Sequence, residues 1–410
     1  MNTSTKPRVV LLYHFFHPDD VVSPRIFTDL ALGLAERGWD VEAWPCNRAC
    51  RDDSQTFPAA EHWNGITIRR VWRPRFKQAS NLGRLLNAGW MLSAWAWRAL
   101  TTRRHNREVV IVGTDPILSI LTALPWKAFR GRSAVAHWCF DLYPEAAVSD
   151  GLVKPTSLPL KLLNPLLKFA YEKCSLLADL GSCMAARLAK YGSKARATTL
   201  VPWALVEPTQ VAEPDAEVRG KLFGTSAKIG LLYSGSFGRA HSSAEFLQLA
   251  RLTRGTGIEF CFAGRGNRMD ELRQAVQPDD ANVKFAGFAP EAELEARLSA
   301  CDLHLVSLRD DWTGTVVPSK FFGAIAAGRG VVFVGSESCA IAGWIRQHRL
   351  GWVLTTENMV AVAKELLAFA TDTTAQRELR QRCFDAYKQH FSKARQLDLW
   401  NGELRQLLPR

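Results

Sequence analysis

Short β-branched runs alternate with amphipathic helical stretches along this 410-residue chain, and the alternation breaks once and then restarts. The spacing predicts strands at Val9–Tyr13, Val41–Trp44, Ile66–Val71, Val109–Val112 and Ser133–Phe140. Helices fall between them, among them Arg25–Arg37, closed by Gly38, and one from about Ile117 to Phe129. Strand–helix–strand units joined by short connections require a parallel sheet covered on both faces. A helical region over 158–177 contains Pro159 and Pro165 and is expected to kink or split. Over 203–227 the pattern weakens while proline and charge rise, which marks an interdomain linker. The pattern then resumes, with strands at Ile229–Tyr233, Glu259–Ala263, Val283–Ala286, Leu303–Ser307, Val331–Val334 and Trp352–Leu354. Helices are expected at Ala244–Leu252, Arg268–Val276, Glu291–Ala300 and Lys320–Ala327, and a helical tail runs from about Val360 to Leu408. A chain of this length exceeds one ordinary core, so two α/β domains are expected.

Apolar residues at 47% and charged residues at 22% fit a folded globular protein and exclude a disordered one. The nine cysteines show no repeated CxxC, and Cys46 and Cys50 lack partners at zinc-site spacing. Their odd number and apolar surroundings predict reduced, buried thiols in a cytosolic protein. Met1–Arg8 is polar and leads straight into the first strand, so no secretory signal is expected. Net charge is +12, and ten Lys/Arg residues with no Asp or Glu fall between Arg69 and Arg107, beside Trp72, Trp90, Trp95 and Trp97. The apolar part, Leu85–Leu100, is short for a bilayer span. A helix with tryptophans and basic flanks can lie in the headgroup layer of an anionic membrane. The same amphipathic pattern also suits a helix that covers a sheet, and both readings stand. Nucleic acid ranks lower as a partner, because the tryptophans sit in an apolar helical run rather than on a strand platform.

The segment Thr313–Val334, TGTVVPSKFFGAIAAGRGVVFV, carries the most chemistry. A loop of small residues precedes a short helix opening near Pro318-Ser319-Lys320, which Gly328 stops before a buried strand. Helix N-termini offer unpaired N–H groups and a positive dipole end to a phosphate, and Lys320 adds a full charge there. An ordinary α/β turn would look the same. Three strand-to-glycine loops accompany it: Tyr233–Arg239, with Gly235, Ser236, Gly238 and Arg239; Phe262–Asn267, with Gly264 and Gly266; and Gly287–Pro290, with Phe288. Ligands of open α/β sheets bind at that end of the strands. Each loop alone is more often structural; the set is harder to dismiss. In the first half, His137, Asp141 and Glu145 lie at the end of the Ser133–Phe140 strand, and the two carboxylates can orient a hydroxyl or meet positive charge. Asp141 could equally be a helix cap. His14 and His17 follow the first strand, and Asp115 follows another, although Asp before Pro is also a common turn opener. No Asp-x-Asp triplet points to a divalent metal, and His62, His105, His304, His348 and His390 show no ligand spacing.

Val-Pro-Ser-Lys, a short apolar helix ending Ala-Ala-Gly and a valine-rich strand together resemble the donor segment of family four glycosyltransferases. The likeness is to the branch that builds bacterial exopolysaccharide and O-antigen chains, which Asp141-Leu142-Tyr143-Pro144-Glu145 also resembles. The resemblance implies a GT-B fold, α/β, with two Rossmann-like domains whose parallel sheets face across a cleft. It implies an acceptor domain over 1–202, a linker over 203–227, a donor domain over 228–357 and a tail over 358–410 crossing back. It further implies a nucleotide-sugar donor, UDP-sugar foremost, held by Gly235, Ser236, Gly238, Arg239, Gly264, Gly266, Phe288, Pro318, Ser319, Lys320 and Glu337. An acceptor, such as a polyprenyl-diphosphate-linked saccharide at the cytosolic membrane face, would meet His14, His17, Asp115, His137 and Asp141. Retaining transfer without metal or other cofactor would use Lys320, Asp141 and Glu145, with residues 69–107 against the membrane. One departure stands out. Many members carry a Glu-x7-Glu pair, and Thr315 and Gly323 occupy those positions here, leaving Glu337 the nearest carboxylate by sequence. An epimerase or phosphorylase on this fold, or a binding protein without turnover, are the alternatives.

Overall fold

The computed structural model describes residues 6–78 and 80–409; residues 1–5, 79 and 410 of the ranges above lie outside them. The chain forms two compact units, one running to Val201 and including Gln396–Arg410, the other Pro202–Arg395. Both are α/β; the second sheet is parallel throughout and the first is parallel except for one edge pair.

The first unit holds β1 (Arg8–Leu12), β2 (Asp40–Ala43), β3 (Ala60–Trp63), β4 (Ile66–Arg69), β5 (Glu108–Val112), β6 (Ala134–Trp138), β7 (Leu176–Asp179) and β8 (Arg196–Thr199). They lie in the order β3-β4-β2-β1-β5-β6-β7-β8. β1 pairs with β5 in parallel, Val9 opposite Val109, and every residue of β5 is buried, as a strand covered on both faces must be. The antiparallel edge strand β3 has no counterpart in the sequence reading, because it carries Glu61 and His62 and buries little. Its signal was the turn: Asn64 and Gly65 both have positive φ, the two-residue hairpin connection that Asn-Gly favours.

Around this sheet run α1 (Val22–Glu36), α2 (Asn81–Thr101), α3 (Ala123–Phe129), α4 (Glu145–Ser149), α5 (Leu158–Glu172) and α6 (Ser182–Ala189). Gly38, at φ +85°, ends α1 with its own N–H on the Ala35 carbonyl and that of Trp39 on Leu34. α5 tolerates Pro159 in its first turn and runs on through Pro165, then stops at Glu172, short of the predicted 177. The predicted 117–129 helix divides into a 3-10 turn, Ser119–Thr122, and α3. The basic tryptophan stretch also divides. Trp95 is fully buried and donates to the Trp44 carbonyl, whereas Trp72, Trp90 and Trp97 are exposed. Arg70 and Arg73 are buried on Glu61 and Asp53, so part of the charge is structural.

In the second unit, α7 (Ala216–Phe223) lies inside the stretch read as linker. Asp215 caps it, and Leu222 and Phe223 join Leu232, Cys261, Ala300 and Cys301 in the core. Its sheet comprises β9 (Ile229–Ser236), β10 (Ile258–Arg265), β11 (Val283–Ala286), β12 (Leu303–Ser307), β13 (Gly330–Val334) and β14 (Gly351–Leu354). All pairs are parallel, in the order β11-β10-β9-β12-β13-β14. The helices are α8 (Ala244–Leu252), α9 (Asn267–Ala275), α10 (Leu294–Ser299), α11 (Lys320–Ala326), α12 (Ala340–His348), α13 (Met359–Phe369), α14 (Thr373–Ala386) and α15 (Lys393–Gln406). Nothing in the sequence reading corresponded to α12, which is short and contains Gly343 yet buries Ile341, Ala342 and Ile345. α15 begins at the end of the second unit and continues in the first, where Trp400 packs edge-on to Trp138 at 5.0 Å. None of the nine cysteines is in a disulfide, and seven are buried. No helix among the described residues is long and apolar enough to cross a membrane.

Candidate functional site

In the second unit the strand order reverses between β9 and β12, and the chain leaving those strands forms the first constellation. The loop after β9 folds over the end of β12: His241 Nδ1 donates to the Ser307 carbonyl at 2.7 Å, and Arg309 N–H donates to the Ala240 carbonyl at 2.8 Å. A Cβ on Gly264 would stand 1.9 Å from the Gly235 carbonyl oxygen, and one on Gly266 2.3 Å from that of Phe237. These two glycines knit the ends of β9 and β10 together. Gly235, at φ +115°, is different, for its missing side chain faces Lys320: a Cβ placed on it would stand 3.2 Å from the lysine Cε.

Lys320 opens α11 and reaches toward this loop. Its Nζ lies 3.4 Å from His241 Nε2 and 5.2 Å from the centre of the Tyr233 ring. No carboxylate pairs with it among the described residues. Burial of this uncompensated ammonium lowers its pKa to about 8. Burial, then the Lys320 charge, pushes His241 down to about 3, so at neutral pH this imidazole is uncharged. α11 has only seven residues, and the N–H groups of Phe321 and Phe322 already donate to the Pro318 and Ser319 carbonyls. Fewer amides are therefore free than the sequence suggested, and the positive potential comes chiefly from Lys320.

The remaining predicted donor residues scatter around this point. Ser236 and Arg239 are exposed, Gly238 has open space around it, Pro318 is buried and Ser319 exposed. Phe288 is half exposed beneath the Arg265 guanidinium, 4.5 Å from the ring centre. Glu337 sits apart. It pairs with Arg346 at 2.8 Å and lines a cavity of about 700 Å³ with Glu245, Arg309, Asp310 and Glu357, not with Lys320. Thr315 is fully buried with an unpartnered Oγ1, and Gly323 is partly exposed, so neither supplies a carboxylate. Sequence reasoning missed His241 and Arg265. The first is a lone histidine with no spacing signal, and the second was visible only as the residue between two glycines.

The first unit holds a second constellation past the ends of β1, β5 and β6, which lie side by side. His14 is fully buried, with Nδ1 3.0 Å from Asp115 Oδ1 and Nε2 without a partner. Burial alone would lower its pKa, but the Asp115 charge and hydrogen bond, helped by Cys46, outweigh that and lift it to about 9. Asp141 keeps accessible surface although protein crowds around it; that desolvation, then the Asp115 charge, raises its pKa to about 6. Its N–H donates to Thr114 Oγ1 at 3.3 Å. His137 donates from Nδ1 to the Val112 carbonyl, and burial lowers it to about 4. With Thr114 and Asp141 it lines a cavity of about 10 Å³, the scale of one water. Leu118, at φ +63°, bends the chain beside them. Two predicted residues do not join. His17 stacks on Trp63 of the edge strand at 3.7 Å. Glu145 accepts from Tyr191 Oη at 2.7 Å and lines a different recess.

Residues 229–372 match the family described as group 1 glycosyl transferases. "Probable glycosyltransferase WbjE" of Pseudomonas aeruginosa is 28% identical over 297 residues, covering 70% of this chain and 72% of the relative. The chain is a glycosyltransferase. Its fold is GT-B, as three solved structures indicate. Sucrose-phosphate synthase from Thermosynechococcus elongatus aligns at a TM-score of 0.71 and 16% identity, over 98% of this chain and 99% of that one. The E. coli protein described as trehalose-6-phosphate bound with UDP-2-fluoro glucose aligns at 0.70 and 13%, over 98% and 100%. Anabaena Alr3699/HepE in complex with UDP aligns at 0.67 and 11%, over 97% and 100%. The matched family segment spans both ends of β9 and β12, the loop bearing His241, and Lys320 on α11.

Proposed function

We propose that this glycosyltransferase moves a hexose-type sugar from a nucleotide-diphosphate sugar, held by the second unit, to a saccharide acceptor held by the first. The observation that carries the reading is Lys320: a partly buried ammonium without a counter-ion, beside a glycine that lets a ligand approach the backbone. A buried cation of this kind is completed by an anion, and a diphosphate leaving group develops its charge where Lys320 and the start of α11 point. Neutral His241 can accept from Lys320 and steer the ammonium without competing for it. In the first unit Asp141, with its raised pKa, takes the role of positioning an acceptor hydroxyl. The His14–Asp115 pair places a cation, with one N–H unspent, at the same strand ends. UDP in the solved relatives makes a UDP-sugar the first donor to test. Our reading is of metal-independent, retaining transfer in bacterial polysaccharide biosynthesis. The acceptor would be polyprenyl-diphosphate-linked, with the exposed tryptophans of 69–107 at an anionic cytosolic membrane face.

Thr315 and Gly323 supply no carboxylate, which favours one other reading, a nucleotide-sugar binder without turnover. A thermal-shift screen of nucleotide sugars, followed by incubation of the stabilising donor with lipid-linked acceptors, separates the two. Transfer supports the proposal. Binding with neither transfer nor isomerised donor establishes the binder, and an isomerised sugar formed from donor alone establishes an epimerase.

A further inference from the structure

Helix α5 presents three unlike faces. Leu160, Leu167, Ala170 and Tyr171 enter the core. About a quarter turn away, Lys161 and Lys168 line a recess of about 640 Å³ whose other wall brings Arg187 and Lys190. The outward face carries Leu158, Leu162, Leu166 and Phe169, at 68%, 71%, 43% and 48% exposure, a single helical stripe. Among the described residues seventeen large hydrophobics stand exposed, of which eight fall in 72–100 and five in 152–169. α2 and α5 both pack against the 119–122 turn and α3, so the two stripes belong to one layer of the first unit. The charge is one-sided as well. Residues 151–173 carry Lys154, Lys161, Lys168 and Lys173 against Glu172 alone.

We propose that α5 and its basic recess contact an anionic lipid bilayer. Leu158, Leu162, Leu166 and Phe169 lie in the acyl boundary, and the recess receives phosphate headgroups. Apolar stripe and cations side by side on one helix are what an interfacial helix requires, since the headgroup layer offers both environments within a few ångströms. A second copy of this chain meets the apolar stripe but not the charge, because an isologous contact brings the same patch from both sides, with four lysines against one glutamate over 151–173. The inference rests on the peripheral-membrane reading of α2 for its setting, but on different residues. Nucleotide binding by the second unit gives a control independent of both.

The test uses the full chain and phosphatidylcholine vesicles with and without phosphatidylglycerol. Leu162→Gln with Leu166→Gln, both solvent-facing, is expected to weaken partitioning by about tenfold or more, with nucleotide affinity and melting temperature unchanged. Lys161→Gln with Lys168→Gln is expected to remove much of the phosphatidylglycerol preference and flatten the salt dependence. Wild-type partitioning by the leucine variant, while Trp97→Gln with Leu100→Gln on α2 abolishes it, would overturn the proposal and leave α2 as the contact. So would a leucine variant that dissociates a dimer in solution without altering vesicle binding. Absence of wild-type binding to either vesicle would overturn both membrane readings, and retained nucleotide binding would leave the glycosyltransferase reading intact.

Discussion

Replacing Lys320 by methionine, which keeps the aliphatic stem, is expected to move two measured quantities in opposite directions. In the free protein the ammonium is penalised, since its pKa stands at about 8 against an ordinary 10.5. Below pH 8 both folded and unfolded chains carry the proton and the full penalty applies. Between pH 8 and 10.5 the folded state sheds it first, so the penalty fades and stability rises. That gap corresponds to about 3 kcal/mol at 1.36 kcal/mol per unit, and solvent screening of a partly accessible side chain reduces it to about 1–2 kcal/mol. Lys320→Met should therefore raise the melting temperature of the free protein at pH 7. Nucleoside diphosphate affinity should fall at the same time, by the about 1.5–3 kcal/mol of a charge-assisted hydrogen bond, or roughly 10- to 150-fold. Titration calorimetry from pH 7 to 9.5 adds a third readout. Wild-type affinity should decline above pH 8 as Lys320 loses its proton, while the variant's stays flat. Equal affinities at pH 7, with a free protein that melts no higher than wild type, would refute both the unpaired-cation assignment and the donor site built on it.

Asp141, raised to about 6, and Lys320, lowered to about 8, predict a bell-shaped kcat/KM with limbs near those values; Asp141→Asn should lower the plateau and erase the acidic limb in steady-state assays. His14, lifted to about 9 by Asp115, contributes stability that is complete below its ordinary 6.5 and lost as pH rises through 9. Asp115→Asn should therefore cost about 1–3 kcal/mol in denaturant melts at pH 6 and distinctly less at pH 9.5. Gly264→Ala drives a Cβ into the Gly235 carbonyl and should cost over about 3 kcal/mol or prevent folding, seen as a lowered or absent thermal transition.

Where a residue's role depends on its own strand or turn, the sequence showed it. The six strands of the second unit, the Gly38 and Gly328 helix stops and the glycine loops all follow from local pattern, because strand period and left-handed glycines act over a few residues. The sites needed contacts between distant segments. Lys320 meets His241 across 79 residues, and His14 meets Asp115 across 101, so no spacing rule joins either pair. His14 and His17 show the limit most clearly: three residues apart on one loop, one turns into the core onto a carboxylate and the other lies flat on Trp63 of an edge strand. Asp141 and Glu145 divide in the same way, four residues apart, because α4 begins at Glu145 and carries it toward Tyr191. Motif proximity therefore nominated the right strand ends but could not tell which side chains share a space. That sorting is done by sheet order, and in both units it gathers the surviving candidates beside the pair of strands where the order reverses.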